Sequence, residues 1–135
     1  MVSWQSNRQA KRILVVDDIE DNLVLLQAIL TDEGYEVDVA KNGKSALTKV
    51  ETSPPDLVLM DAMMPGMDGY EVTRRIRQNK KLAFIPILMI TAYEDAAAKG
   101  LDLGANDFIR KPIDYDELLA RVKASLRLKD MMSSP

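Results

Sequence analysis

The stretch DLVLMDAMMPGMDG, Asp56 to Gly69, decides the fold. Asp56 to Met60 reads as a strand apolar on both faces, the pattern of a sheet covered on both sides. The run stops at a carboxylate, Asp61, and a Pro65-Gly66 turn follows. A helical pattern then runs from Gly69 to Asn79, with Asp68 placed as its N-cap. A buried strand that ends on an acid and feeds a helix is the unit from which the rest of the chain can be read.

The same unit recurs on either side. ILVV, Ile13 to Val16, is another strand apolar on both faces, followed by Asp17 and Asp18. Glu20 to Glu33 carries Leu23, Leu26 and Leu30 at helical spacing and stops at Gly34. EVDVA, Glu36 to Ala40, alternates like a strand near a sheet edge. Lys44 to Thr52 is a short helix ended by Pro54-Pro55. Beyond the opening stretch come a strand at Ile87 to Ile90 and a helix at Glu94 to Leu103, stopped by Gly104. A short strand at Asp107 to Arg110 and a helix at Asp114 to Leu128 complete the series. That last helix has Leu118, Leu119, Val122 and Leu126 on one face. Five strands alternating with five helices predict a parallel α/β sheet with helices on both faces, one domain in all. Residues 1–10 read as a flexible extension, 11–128 as the domain, and 129–135 as a tail or linker.

Composition narrows the chemistry. The chain has no histidine and no cysteine. It therefore has no phosphohistidine, no triad histidine, no thiolate nucleophile and no imidazole or thiolate metal site. Any metal must be held by oxygen, which points to Mg²⁺, Mn²⁺ or Ca²⁺. The net charge of −3 comes without a basic block and gives no sign of direct nucleic-acid binding. No apolar stretch reaches membrane-spanning length, and MVSWQSNRQAKR has no signal-peptide core, so a cytoplasmic location is expected.

In open parallel sheets, ligands bind beyond the carboxyl ends of the strands. The residues that close the strands are Asp17 and Asp18, Asp61, Thr91, and Lys111 before Pro112. Each has a structural alternative: Asp17 or Asp18 as a helix cap, Asp61 as a turn residue, Thr91 as a cap, Lys111 as a solvated charge. Their agreement at one edge favours a site. Clustered carboxylates stay ionised when a cation joins them, and without histidine or cysteine a hard divalent ion is the natural candidate. A metal and an ammonium together suit phosphoryl chemistry, in which a carboxylate can be the nucleophile. Asp61 at its strand end can then attack phosphorus with one oxygen while the other ligates the metal.

ILVVDD, LVLMDAMMPGMDG, the Thr91-Ala92 pair and FIRKP together resemble the receiver domain of two-component response regulators, from Arg12 to about Leu128. The resemblance implies a flavodoxin-like (βα)5 fold with strand order 2-1-3-4-5, and Asp61 as phosphoacceptor. It implies Mg²⁺ (or Mn²⁺) held directly by Asp18, through water mainly by Asp17, and by the backbone carbonyl of Met63. Thr91 would hydrogen-bond the phosphoryl group, Lys111 would pair with it, and the Lys111-Pro112 bond is often cis in this family. Phe108 falls at the family's aromatic switch position. Phe in place of the frequent Tyr removes a hydroxyl and favours apolar repacking, with a plain core residue as the alternative. Met63 and Tyr93 bracket the site at positions that modulate hydrolysis, and lacking carboxylate or amide they imply moderate to slow self-dephosphorylation.

The resemblance further implies a histidine kinase or histidine phosphotransfer protein as partner, a small acyl phosphate as alternative donor, and no turnover of an external substrate. The responsive face would be Glu94 to Leu103, Asp107 to Arg110 and Asp114 to Leu128. Its Lys99 and Glu117, and Asp107 and Arg121, sit at positions resembling the intersubunit ion pairs of winged-helix regulators. A phosphorylation-promoted homodimer is one expectation, solvated helix charge the other. The rival folds fit less well. A haloacid-dehalogenase-like phosphatase needs DxDx(T/V), whereas the chain has Asp17-Asp18-Ile19-Glu20. An FMN-binding flavodoxin needs a phosphate loop where this chain has two acids. A phosphorylation-independent module has no need of the acidic set. No effector module fits after Leu128, so the output is open: a stand-alone regulator, or a receiver from a longer protein. The Asp21-Asn22 pair resembles receivers of hybrid kinases and cyclase regulators.

Overall fold

The computed structural model describes residues 10–92 and 99–133. The expectations for the first nine residues, for Tyr93 and for the start of the helix at 94–98 lie outside the described residues. Five strands form one parallel sheet: β1 (Arg12–Val16), β2 (Glu36–Ala40), β3 (Leu57–Asp61), β4 (Ile87–Thr91) and β5 (Asp107–Arg110). Their order is β2-β1-β3-β4-β5, as the resemblance implies. The helices are α1 (Glu20–Asp32), α2 (Gly43–Thr52), α3 (Gly69–Gln78), α4, described over 99–102, and α5 (Tyr115–Ser133).

Strand alternation sorts the core into two layers. Leu14, Val16, Val58, Met60, Ile87 and Met89 face one side and pack with Ala46, Val50, Val72 and Ile76 of α2 and α3. Ile13, Val15, Leu57, Leu59, Leu88 and Ile90 face the other and meet Leu23, Leu26 and Leu30 of α1 and Leu118, Val122 and Leu126 of α5. All five residues of β3 and of β4 are buried, which is why those strands read as unbroken apolar runs. The edge strand β2 has only Ala40 fully buried, in keeping with its alternating sequence.

Asp68 caps α3, its side chain accepting from the Glu71 amide, as its position predicts. Most boundaries fall within one residue of the sequence reading, and two of the differences matter here. Asp61 belongs to β3, because it pairs with Ile90 of β4. The last helix runs past Leu128 to Ser133. Two long-range contacts hold that final turn: the Lys129 ammonium donates to the Phe84 carbonyl at 2.6 Å, and Asp130 pairs with Lys11 at 2.5 Å. No local apolar pattern announces such contacts, so the polar segment reads as a tail.

Candidate functional site

The β-strand ends bring the acids together. β1 delivers Asp17, whose amide donates to Ala40 O of the neighbouring β2. Asp17 is buried, and Asp18 beside it is exposed. The structural alternative, a cap of α1 by one of this pair, is not realised: the N-cap is Ile19, without a side-chain cap bond. The Asp17 carboxylate instead accepts from the Ile19 amide at 2.9 Å and from Asn22 Nδ2 at 3.1 Å. Asn22 thus holds Asp17 from the first turn of α1, a role that only its proximity to the acidic pair suggests in the sequence.

Asp61, 2% exposed, ends the central strand. Its Oδ1 accepts from the Met63 amide and from Lys111 Nζ, both at 3.2 Å. The loop after it turns back on itself: the Gly69 amide donates to Ala62 O at 3.0 Å. A Cβ at position 69 would lie 2.2 Å from the Asp61 carbonyl oxygen, so only glycine closes the motif at this point. The α3 N-terminus is thereby pressed against the residue that carries the site's central carboxylate.

Carboxylate oxygens of Asp17, Asp18 and Asp61 all lie within 4.8 Å of one another. Burial pushes the Asp61 carboxyl above the ordinary carboxylate range; the Met63 amide and the Lys111 ammonium oppose that rise, and the Asp17 charge adds to it. A group in that position is stabilised as an anion by added positive charge, and the donor set is oxygen throughout. The residues therefore fit a hard divalent cation.

Thr91, buried at the end of β4, and Lys111 are tied by a backbone bond, Lys111 N to Thr91 O at 2.8 Å. The Lys111-Pro112 peptide is cis, as the resemblance implies. A cavity of about 210 Å³ opens beside the acids, lined by Asp17, Asn22, Leu25, Lys111, Pro112 and Tyr115. Met63 is exposed. Phe108 of β5 is half-buried against the layer that holds Tyr70 and Met89.

On the outer face the charged side chains also make contacts within the chain. Arg121 holds Asp107 of its own chain in a two-oxygen contact at 2.8 and 2.9 Å, and reaches Glu117 at 3.7 Å. The Lys99 ammonium lies over the Tyr70 ring, 4.7 Å from its centroid. Tyr70 and Arg77 are the residues that sequence reasoning did not single out. Arg77 binds the carbonyls of Gly104 and Ile85 and the side chain of Asn106, fixing the turn that precedes β5.

A doubly wound sheet with a buried acid at the end of β3, two acids after β1 and a lysine after β5 defines a receiver fold. The chain belongs to the response regulator receiver domain family, whose model matches residues 13–123, and it is thereby a module of two-component signalling. It is 48% identical over 120 residues to "Response regulator PleD" of Caulobacter vibrioides, covering 87% of this chain and 26% of that protein. It is 47% identical over 123 residues to "Alkaline phosphatase synthesis transcriptional regulatory protein PhoP" of Bacillus subtilis, covering 90% of this chain and 50% of that protein. The chain thus spans between a quarter and a half of these relatives. Among solved structures, a putative response regulator from Chloroflexus aurantiacus superimposes with a TM-score of 0.83 at 37% identity, over 88% of this chain and 99% of that one. A CheY-like receiver domain protein from Methanospirillum hungatei gives 0.84 at 31% identity, over 91% and 98%. Among the described residues no helix is long and apolar enough to cross a membrane.

Proposed function

We propose that the domain accepts a phosphoryl group on Asp61 from a phosphohistidine of a histidine kinase or histidine phosphotransfer protein, and passes the signal to the face formed by α4, β5 and α5. The observation that carries this reading is the buried Asp61 carboxylate, grouped with Asp17 and Asp18 within 4.8 Å and bonded to Lys111 at 3.2 Å. With Oδ1 engaged by the Met63 amide and Lys111, Oδ2 is the oxygen for attack on phosphorus. The P–N bond of the donor breaks as the O–P bond forms, and the departing imidazole takes up a proton.

Mg²⁺, with Mn²⁺ as a substitute, supplies the positive charge that lets an anionic carboxylate approach an anionic phosphoryl group. Asp17, Asp18, Asp61 and the Met63 carbonyl would hold it. Lys111 balances the charge on a phosphoryl oxygen, and Thr91 donates its hydroxyl to another. Asn22, donating to Asp17 Oδ2, helps to fix the orientation of that carboxylate. No residue identified at this site supports turnover of an external metabolite, so the domain promotes only its own phosphorylation and dephosphorylation. The reading places it in the cytoplasm, away from direct contact with nucleic acid or membrane. The receiver is the unit from residue 11 through the last helix, α5, with residues 1–10 as an extension.

Incubation with Mg²⁺ and acetyl phosphate should add one phosphoryl group per chain, removable by hydroxylamine; a label stable to hydroxylamine would rule out an acyl phosphate. Roles within the site separate by titration. Asp18→Ala should weaken Mg²⁺ binding at least about tenfold, since a direct ligand is lost. Lys111→Ala should leave it within about threefold and uncouple phosphorylation from the response. Equal losses in the two variants would show that the roles are divided wrongly.

The same reading extends to a phosphorylation-promoted homodimer through α4, β5 and α5, using Lys99, Asp107, Glu117 and Arg121. Because Arg121 and Asp107 already pair within the chain, dimer formation would exchange these contacts about a two-fold axis rather than add them. Sedimentation should show a dimer with beryllofluoride and a monomer without it, and Arg121→Glu should remove the dimer. A monomer in both conditions at high concentration assigns this face to a different partner.

A further inference from the structure

Tyr70 is the buried titratable side chain for which the proposed chemistry has no use. It is 5% exposed, and its hydroxyl oxygen is enclosed without a hydrogen bond in proper geometry among the described residues. An enclosed phenol without a bond costs free energy that a packed Phe would not, so its presence at this point calls for a physical reason. Three contacts give one. Burial raises the phenol's pKa and the Thr91 side chain opposes the rise, which sets Thr91 beside the phenol. The Lys99 ammonium of α4 sits on the face of the ring at 4.7 Å. Gly100, the next residue of α4, comes so near that an added Cβ would lie 2.6 Å from Met89 Sδ and 3.6 Å from Tyr70 Cε1. One aromatic ring thus touches the phosphoryl end of β4 through its hydroxyl and the first described turn of α4 through its face and edge.

We propose that Tyr70 is a positioning residue that reports the state of Asp61 to α4: when the phosphoryl group draws the Thr91 hydroxyl, the Tyr70 O–H donates to Thr91 Oγ1. Thr91 then donates to the phosphoryl oxygen while accepting from Tyr70, and each bond polarises the other. The ring shifts with its hydroxyl. Lys99 and the close-packed Gly100 follow, because a packed contact of this kind re-sets rather than deforms. The bond from Tyr70 to Thr91 gives the site a different interaction with each state, which any population shift requires. The inference rests on Asp61 being the phosphoacceptor and deepens that reading.

The test compares wild type with Tyr70→Phe, which deletes one oxygen, in the presence of Mg²⁺ and beryllofluoride. Adduct binding is followed by titration, and the response by the backbone amide shifts of Thr91, residues 99–103 and residues 107–110. Both proteins should bind the adduct, and the variant's shifts at Thr91 and 99–103 should be at least about twofold smaller. Before activation the variant's thermal midpoint should be no lower than that of wild type, because no bond is lost. Lys99→Gln should diminish the shifts at 99–103 while leaving that of Thr91 intact. Wild-type shifts in Tyr70→Phe with the adduct bound would overturn the proposal. So would a lowered midpoint before activation, since the hydroxyl would then already be bonded. A wild type that binds no adduct would overturn the Asp61 reading, and this one with it.

Discussion

Asp61→Asn should reduce phosphoryl incorporation from acetyl phosphate to background. An amide oxygen is a far weaker nucleophile than a carboxylate, and covalent catalysis of this kind has no substitute within reach. The two neighbouring acids are held for other work. Asp17 is committed through both oxygens to the Ile19 amide and Asn22, and Asp18 is exposed rather than enclosed beside Lys111. The variant keeps its shape: the side-chain amide oxygen that replaces Asp61 Oδ1 can still accept from the Met63 backbone amide, so loss of label is not loss of structure. The expected change is from one hydroxylamine-labile phosphoryl group per chain to none, read by intact-protein mass. A label of wild-type size in the variant would move the phosphoacceptor to another carboxylate.

How much of this was legible in the sequence follows from which forces are local. β3 and β4 were plain because every residue is buried from both sides, so no alternation blurs the run. The α1 face was plain because Leu23, Leu26 and Leu30 meet one layer. The parallel sheet then brings the residues that close the strands to one edge, which is how Asp17, Asp18, Asp61, Thr91 and Lys111 could be grouped without coordinates. What the sequence hid was tertiary. Whether Asp17 or Asp18 served as a helix cap or as part of the site could not be read locally; the structure caps α1 with neither, and Asp17 accepts from the Ile19 amide and from Asn22. The end of α5 depends on Phe84 and Lys11, distant in the chain. The charges of the outer face read either as pairs for a partner or as solvated charge, and only the structure shows that Arg121 also meets Asp107 of the same chain. Tyr70 reads as an ordinary apolar residue after Gly69; only its enclosure against Thr91 and beneath Lys99 gives it a further role.

In chelator, Asp61→Asn should also be more stable than wild type at neutral pH, by about 1 kcal/mol or ~4 °C in Tm for a domain of this size. Burial raises the pKa of Asp61 in the folded chain, and Asp17 adds to the rise. The folded state therefore holds that proton more tightly than the unfolded state does. The resulting penalty is absent below the unfolded carboxylate pKa, grows as pH rises from there to the folded value, and is full above it. Asn carries no charge and escapes the penalty throughout. Lys111 loses a partner in the variant, but its side chain is 35% exposed and returns to water at small cost. Other acids work in the opposite sense. Glu71, bonded to Arg74 and Arg75, is lowered to about 2, and Asp38 is lowered by Lys49 against the burial that would raise it. Acid therefore still unfolds both proteins, and the Asp61 contribution is isolated only as the difference between them. That difference should shrink as pH falls through the window just above the unfolded carboxylate pKa. Mg²⁺ should reverse the order. A cation that binds only the folded site stabilises by RT ln(1 + [L]/Kd), about 2.7 kcal/mol at a hundredfold excess over Kd, and the variant, short of one anionic ligand, gains less. Thermal unfolding of both proteins at pH 5 and pH 7.5, with chelator and with Mg²⁺, reads all four corners. A wild type that outlasts Asp61→Asn in chelator at the higher pH would mean that Lys111 and the Met63 amide already satisfy the carboxylate without a metal.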